Sequence, residues 1–208
     1  LLRTVQEHGF DQTYLGLNAG HLGFLLNDAV DLDQVVRGLK ERTWTAFEFP
    51  LLEVVVHTAS GTLVRDRAVN DVYLERASGQ TAKLRLTIDR HLILETLVAD
   101  GVIFSTALGS TAYTFSAGGP ACHPALRMLS VTPICPHQPR LLPFALPHGA
   151  RILVEALETH KRPVRAVADG RATDDAVRVE VGYGPDHVRF AYLEGHDFTT
   201  RMIRKILR

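Results

Sequence analysis

The chain has 208 residues, 46% of them hydrophobic and 22% charged, and its 23 Lys and Arg balance its 23 Asp and Glu. A zero formal charge argues against bulk electrostatic capture of nucleic acid, which needs a basic footprint, while leaving room for a small anionic ligand in a local site. Two cysteines, Cys122 and Cys135, make no disulfide framework and point to a reducing, cytoplasmic setting. No apolar run is long enough to span a bilayer, and Leu1-Leu2-Arg3-Thr4 shows no signal-peptide pattern.

In chain order, Leu2, Val5 and Phe10 suggest a short helix. Residues 13–17 (Thr-Tyr-Leu-Gly-Leu) read as a buried strand ended by Asn18-Ala19-Gly20. Asp31 can cap a second helix, in which Leu32, Val35, Val36 and Leu39 fall on one face at i, i+3, i+4 and i+7. From about residue 46 the texture changes. Strand-length runs recur at 51–58, 62–65, 69–75, 83–89, 92–98 and 102–106, with Ser60-Gly61 and Ser78-Gly79 as turn punctuation. Further runs lie at 151–157, 163–168, 176–181 and 187–192. Many short strands at this spacing predict a sandwich. Phe198, Met202, Ile203 and Ile206 share one helical stripe, so 198–207 reads as a closing helix. The expected architecture is an α/β remnant over 1–45, an all-β sandwich over 46–190, and a closing segment and helix over 191–208 that returns toward the first domain.

The densest chemical signal runs from Asp100 to Pro120, DGVIFSTALGSTAYTFSAGGP. A turn carboxylate leads into a strand, then a loop of Gly, Ser, Thr and Ala, then a Gly-Gly-Pro stop. Small residues let backbone come close to a ligand. Hydroxyls and free N–H groups satisfy phosphate or ribose oxygens, and Tyr113 offers a flat face to a ring. Composition alone licenses a loop suited to a nucleotide; a Gly/Ser-rich surface loop has the same composition. Neither the Gly-x-x-x-x-Gly-Lys-Ser/Thr phosphate loop nor a Gly-x-Gly-x-x-Gly after a strand occurs. Cys122-His123 and Cys135-x-His137 lack the Cys-x-x-Cys spacing of structural zinc.

This stretch resembles the most distinctive motif of the NAD kinase family, an acidic-Gly turn leading into Gly-Ser-Thr-Ala-Tyr and Ser-Ala-Gly-Gly-Pro. Three further matches follow the family's order. Residues 18–25 resemble its strand-to-loop segment ending Leu-Gly-Phe-Leu, Val69-Asn70-Asp71-Val72 its Asn-Glu motif, and Ile134-Cys135-Pro136-His137 the sequence after its crossover. The resemblance implies a truncated two-domain fold, in which residues 1–45 are the C-terminal part of an α/β ATP-binding domain and the sandwich binds NAD. It implies phosphoryl transfer from ATP, or polyphosphate, to the 2′-hydroxyl of the adenosine ribose of NAD, with magnesium as the divalent metal and a homodimer or homotetramer as the assembly. It assigns NAD contacts to Asn70, Asp71, Asp100, Thr111, Ala112, Tyr113, Thr114, Phe115 and Ser116, and to Arg171, and it accounts for Cys135 and His137 as part of a packed crossover. No nucleic-acid or membrane partner is expected.

The sequence departs from the family pattern in three places. The Gly-Gly-Asp-Gly motif that carries the catalytic Asp is absent and is expected before Leu1, so the 208 residues alone are expected to be inactive. Asp71 stands where the family has Glu, one methylene shorter. Ala107-Leu108 replaces a Pro and a small residue. Two other readings stay open. A lipid or sphingoid kinase of the same superfamily needs an apolar acceptor cleft, against which the polar Asn70-Asp71 pair counts. A non-catalytic NAD(P)-sensing module predicts binding without turnover.

Overall fold

The computed structural model describes residues 1–18, 23–27 and 32–207. In chain order the elements are α1 (Leu2–His8), β1 (Thr13–Tyr14), α2 (Leu32–Glu41), β2 (Trp44–Thr58), β3 (Leu63–Ala68), β4 (Asp71–Arg76), β5 (Ala82–Ile88), β6 (His91–Ala99) and β7 (Gly101–Thr106). A 3-10 turn, Gly109–Thr111, and a single helical turn, α3 (Tyr113–Ser116), follow. The chain ends with β8 (Met128–Ile134), β9 (Phe144–Pro147), β10 (Arg151–Ala156), β11 (Val164–Ala168), β12 (Arg171–Thr173), β13 (Ala176–Leu193) and α4 (Phe198–Ile206). No helix of the described residues is long and apolar enough to cross a membrane.

The chain divides into two units, one of Leu1–Pro50 with Pro185–Arg208 and one of Leu51–Gly184. The second unit is the β-sandwich that the strand pattern predicts. One sheet runs β12-β11-β4-β7-β8-β9, and the other runs β3-β2-β13-β10-β5-β6. Strict alternation drives the packing: in β5, Ala82, Leu84, Leu86 and Ile88 turn inward and the residues between them outward. They meet Val72, Leu74, Val102, Phe104, Leu129 and Val131 of the facing sheet in one core. β7 departs from alternation, since all six of its residues are buried. One of its faces lies on the core; the other carries Ile103 and Ser105, beside Ser130 and Thr132 of β8, under the segment that holds α3.

In the first unit, α1 buries Val5 and β1 pairs in parallel with Arg189 and Phe190 of β13. Phe198, at the start of α4, packs edge-on against Phe47, Phe49 and Tyr192. Asp197 caps α4 by accepting the Thr199 and Thr200 N–H groups. The Arg201 guanidinium donates to the Gly23 and Leu26 carbonyls.

Several expectations are corrected. The strand predicted over 13–17 is only Thr13–Tyr14. Leu17 forms an isolated bridge to Asn27 and is exposed, because Gly16 lets Leu26 close against the backbone there. The helix α2 forms, but of its stripe only Val35 is buried while Leu32, Val36 and Leu39 are exposed. The Asp31 cap, and the segment from Ala19 through His21 to Leu22, lie outside the described residues. β8 and β9 go unread in the sequence, where Pro133 argues against a strand. β9 pairs only with Met128–Val131, so Pro133 lies past its end, where a missing N–H costs no bond on that side. The runs at 176–181 and 187–192 are one strand, β13. Gly182 and Gly184 do not break it. A Cβ at Gly182 would stand 2.6 Å from Arg151 Cδ and one at Gly184 2.4 Å from Glu53 Cδ, so each glycine makes room for a neighbour's side chain.

Phe104 is fully buried at the centre of the sandwich core. Phe104→Ala is expected to cost about 3–5 kcal/mol, read as a lower urea midpoint at an unchanged slope.

Candidate functional site

The site is built on the outer face of the β12-β11-β4-β7-β8-β9 sheet. Period two along β4 sends Val72 and Leu74 into the core and Asp71, Tyr73 and Glu75 to the other face. There they stand opposite Ser105, Ile103 and Gly101 of β7. Glu75 takes the Arg165 guanidinium at 2.6 Å across the β11 edge.

The loop after β7 is fastened to the residues before β4. The Thr106 amide donates to the Asn70 carbonyl at 2.9 Å, and the Thr106 hydroxyl donates to the Val69 carbonyl at 2.8 Å. The same hydroxyl accepts the Gly109 N–H at 2.9 Å. Gly109 has to be glycine, because a Cβ there would lie 2.1 Å from the Asn70 carbonyl oxygen. Ser110 closes the loop, its hydroxyl donating to Ala107 O at 2.6 Å and accepting the Cys122 N–H at 2.8 Å. The next turn then has a fixed orientation. Thr111 and Thr114 are buried, Ala112, Tyr113 and Phe115 are half-buried, and Ser116 is exposed. The Tyr113 ring meets the Tyr73 ring edge-on, with centroids 5.1 Å apart.

The electrostatics are unusual for a sheet surface. Asp71 is only 6% exposed. Burial first, and the nearby Asp169 carboxylate second, push its carboxyl up from 3.8 to about 7. Asp169 sits in the β11–β12 turn with positive φ. Its carboxylate accepts the N–H groups of Val69 (2.6 Å), Asn70 (2.9 Å) and Asp71 (3.3 Å). Burial and the surrounding carboxylates raise both Tyr73 and Tyr113. The Asn70 Oδ1 atom is buried without a hydrogen-bond partner among the described residues, as are the hydroxyls of Ser105, Thr114, Ser130 and Thr132.

The sequence-predicted residues divide accordingly. Asn70, Asp71, Tyr113 and the turn from Thr111 to Ser116 come together. Asp100 reaches the same neighbourhood, acting on Tyr113 alongside Asp71, Glu75 and Cys135, and it accepts Arg76 Nε at 2.7 Å. Arg171 opens β12, where its Nε and Nη2 donate to both oxygens of Asp66 and to the Arg67 carbonyl, which ties it to β3. Two residues escape the sequence reading. Tyr73 was detectable, since it lies two residues after Asp71 on the same strand face. Asp169 was not, because nothing local shows that a turn about a hundred residues away holds the Val69–Asp71 backbone. Among the described residues no group of three or more His, Cys, Asp and Glu side chains could hold a metal ion. Cys122 is half-buried and Cys135 exposed.

Comparison with known proteins gives one consistent result. Residues 69–191 match the family model of the ATP-NAD kinase C-terminal domain. The NAD kinase of Cereibacter sphaeroides (strain ATCC 17029 / ATH 2.4.9) is 36% identical over 210 residues, covering 99% of this chain and 81% of that protein. The NAD kinase of Caulobacter vibrioides is 40% identical over 185 residues, covering 87% of this chain and 69% of that protein. The crystal structure of yeast NADH kinase complexed with NADH superposes with a TM-score of 0.81 at 25% identity, over 93% of this chain and 57% of the yeast chain. An Archaeoglobus fulgidus NAD kinase solved with ATP shares the fold, with a TM-score of 0.81 at 21% identity over 99% of this chain and 78% of that one. With its distinctive loop, its sandwich and most of its length matched, the chain belongs to the NAD kinase family.

Proposed function

We propose that the protein is an NAD kinase, transferring the γ-phosphoryl group of ATP to the 2′-hydroxyl of the adenosine ribose of NAD to give NADP. In that reaction the ribose oxygen forms a bond to the γ-phosphorus. The bond from that phosphorus to the β–γ bridging oxygen breaks, ADP departs, and the hydroxyl proton is lost to a base. Such catalysis is chiefly positioning and charge stabilisation. The sandwich residues supply the positioning of the acceptor.

The observation that carries this reading is the Asn70 Oδ1 atom, buried without a partner among the described residues, next to the buried Asp71 carboxyl and beside the Tyr73 and Tyr113 rings. A buried carboxylate that can accept two hydrogen bonds suits vicinal ribose hydroxyls. Asn70 Oδ1 suits an N–H or O–H donor, and Tyr113 suits a planar ring. Asp100 and the turn of Thr111, Ala112, Tyr113, Thr114, Phe115 and Ser116 complete the acceptor lining. Arg171 acts at one remove, bracing Asp66 and countering the charge of Asp169. A divalent metal such as magnesium would accompany ATP, held chiefly by the phosphates, since no group of three or more His, Cys, Asp and Glu among the described residues could hold it alone. Assembly as a homodimer or homotetramer belongs to the same proposal, and light scattering on the purified protein measures it.

Calorimetric titration with NAD tests the proposal. Binding at or below millimolar NAD is expected, and none at that concentration sinks it in favour of another acceptor. Asp71 also predicts a pH dependence. Its folded pKa is raised, so its carboxyl is protonated below about pH 7, whereas the acceptor role uses the ionised form. Affinity for NAD is therefore expected to rise about tenfold from pH 6 to pH 8, and Asp71→Asn is expected to flatten that profile. Without ligand the sign is opposite: between the unfolded value of 3.8 and about 7 the fold binds the extra proton, so this contribution to stability is lost as pH rises. Gly109→Ala forces a backbone shift against Asn70. Destabilisation of about 1–3 kcal/mol and loss of most NAD affinity are expected, by thermal unfolding and the same titration.

A further inference from the structure

Thr106 holds the carbonyls of Val69 and Asn70, but the N–H groups of Val69, Asn70 and Asp71 need a partner of their own. The backbone of the Asn70-Asp71 pair precedes and opens β4, where the ladder to β7 begins only at Asp71. Three successive N–H groups, from Val69, Asn70 and Asp71, point at one carboxylate, that of Asp169. The contact is reciprocal, since the Asp169 N–H donates to the Asp71 carbonyl at 3.1 Å. Asp169 holds this position with a φ of 44°, followed by Gly170 at 86°, so the turn aims its carboxylate back at β4. A carboxylate that accepts several backbone N–H groups is held in its charged form. A second carboxyl, Asp71, then stands beside that fixed charge.

Granted the acceptor role of Asp71 proposed above, we infer that Asp169 is a positioning residue for NAD. Its carboxylate fixes the Val69–Asp71 backbone from the turn beside β4, and its charge, added to burial, disfavours the charged form of Asp71. Burial raises the proton affinity of both carboxyls, but only Asp169 has three N–H donors and Arg171 acting against that rise. The proton of the pair therefore sits on Asp71. The titratable groups sharing this face with Asp71 include Tyr73 on its own strand and Tyr113 on α3, both neutral phenols over the relevant range, and farther from it Glu75 with its partner Arg165, Asp100 and Cys135. Arg171, on β12, faces Asp169. The fixed charge nearest Asp71 is thus the Asp169 carboxylate. Asp169 needs no contact with the dinucleotide for either effect.

Two substitutions separate anchoring from charge, each read as the NAD dissociation constant from about pH 5.5 to about pH 8.5. Asp169→Asn keeps an accepting oxygen and removes the charge. The midpoint of the NAD affinity profile is expected to move down by about one pH unit. Asp169→Glu keeps the charge but is one methylene too long to serve the three N–H groups together. Affinity is expected to fall about tenfold or more at every pH, for a loss near 1.4 kcal/mol, with the midpoint nearly unmoved. A profile in Asp169→Asn whose midpoint stays at the wild-type value overturns the charge effect. Wild-type affinity in Asp169→Glu overturns the anchoring. If Asp169→Asn does not fold, the Asp169→Glu titration still decides the positioning role. A wild-type profile flat over the whole range overturns instead the role of Asp71 under the proposed function, so the two failures are distinguishable.

Discussion

The backbones of Asn70 and Gly109 lie so close that a single methyl group on Gly109 would stand 2.1 Å from the Asn70 carbonyl oxygen. That same carbonyl takes the Thr106 amide, and the Thr106 hydroxyl holds both the Val69 carbonyl and the Gly109 N–H. One threonine and one glycine therefore lock the strand entry that carries Asn70 and Asp71 to the loop that carries Thr111 to Ser116. The turn from Thr111 to Ser116 takes its position from this join. Tyr113 can reach Tyr73 only because the loop turns where Gly109 allows it.

The sheet beneath is adapted to the loop. β7 and β8 are buried on both faces; one lies on the apolar core, while the other mixes Ile103 with hydroxyls. It presents Ser105, Ser130 and Thr132, with Thr114 coming down from α3, and none of the four hydroxyls has a hydrogen-bond partner among the described residues. Small side chains let the loop lie low: Gly119 passes so near Thr132 that a Cβ would stand 2.5 Å from its Oγ1. A buried hydroxyl left without a partner costs about 1–3 kcal/mol. The fold accepts that cost here and offsets it with the apolar contacts between the two sheets. Local violations of packing rules concentrate at functional sites, and here the violation lies directly under the turn proposed to line NAD.

Much of this was legible in the sequence. Turn punctuation and alternation announced the sandwich, because its strands are half-buried and obey period two. The tight loop after β7 was legible in composition, because close backbone approach demands Gly, Ser and Thr at fixed places. What could not be read depends on pairing across the fold. β8 was hidden by Pro133, which is harmless only because β9 ends first. β13 was split at glycines whose absent side chains make room for Arg151 and Glu53. Arg171 looked available to a ligand until its partner Asp66, on another strand, came into view. Asp169 shows the limit most sharply: as an Asp-Gly turn it has an ordinary local meaning, and only the register of β11 against β4 brings its carboxylate to the Asn70 amide.

The join between Asn70 and Gly109 also governs when the site comes into existence during folding. Its partners come from the start of β4 and the end of β7, and the β11–β12 turn holds the same strand entry, so no local segment can assemble it. Contacts of such long sequence separation form late, after their loop-closure entropy has been met. The dinucleotide then has nothing to grip in a collapsed but unpaired chain and binds only the finished sheet. A ligand with that preference holds its protein folded by mass action, by about 2.7 kcal/mol at a hundredfold excess over its dissociation constant. On the proposed function, NAD is such a ligand, and the protein's own substrate adds to the stability of its fold.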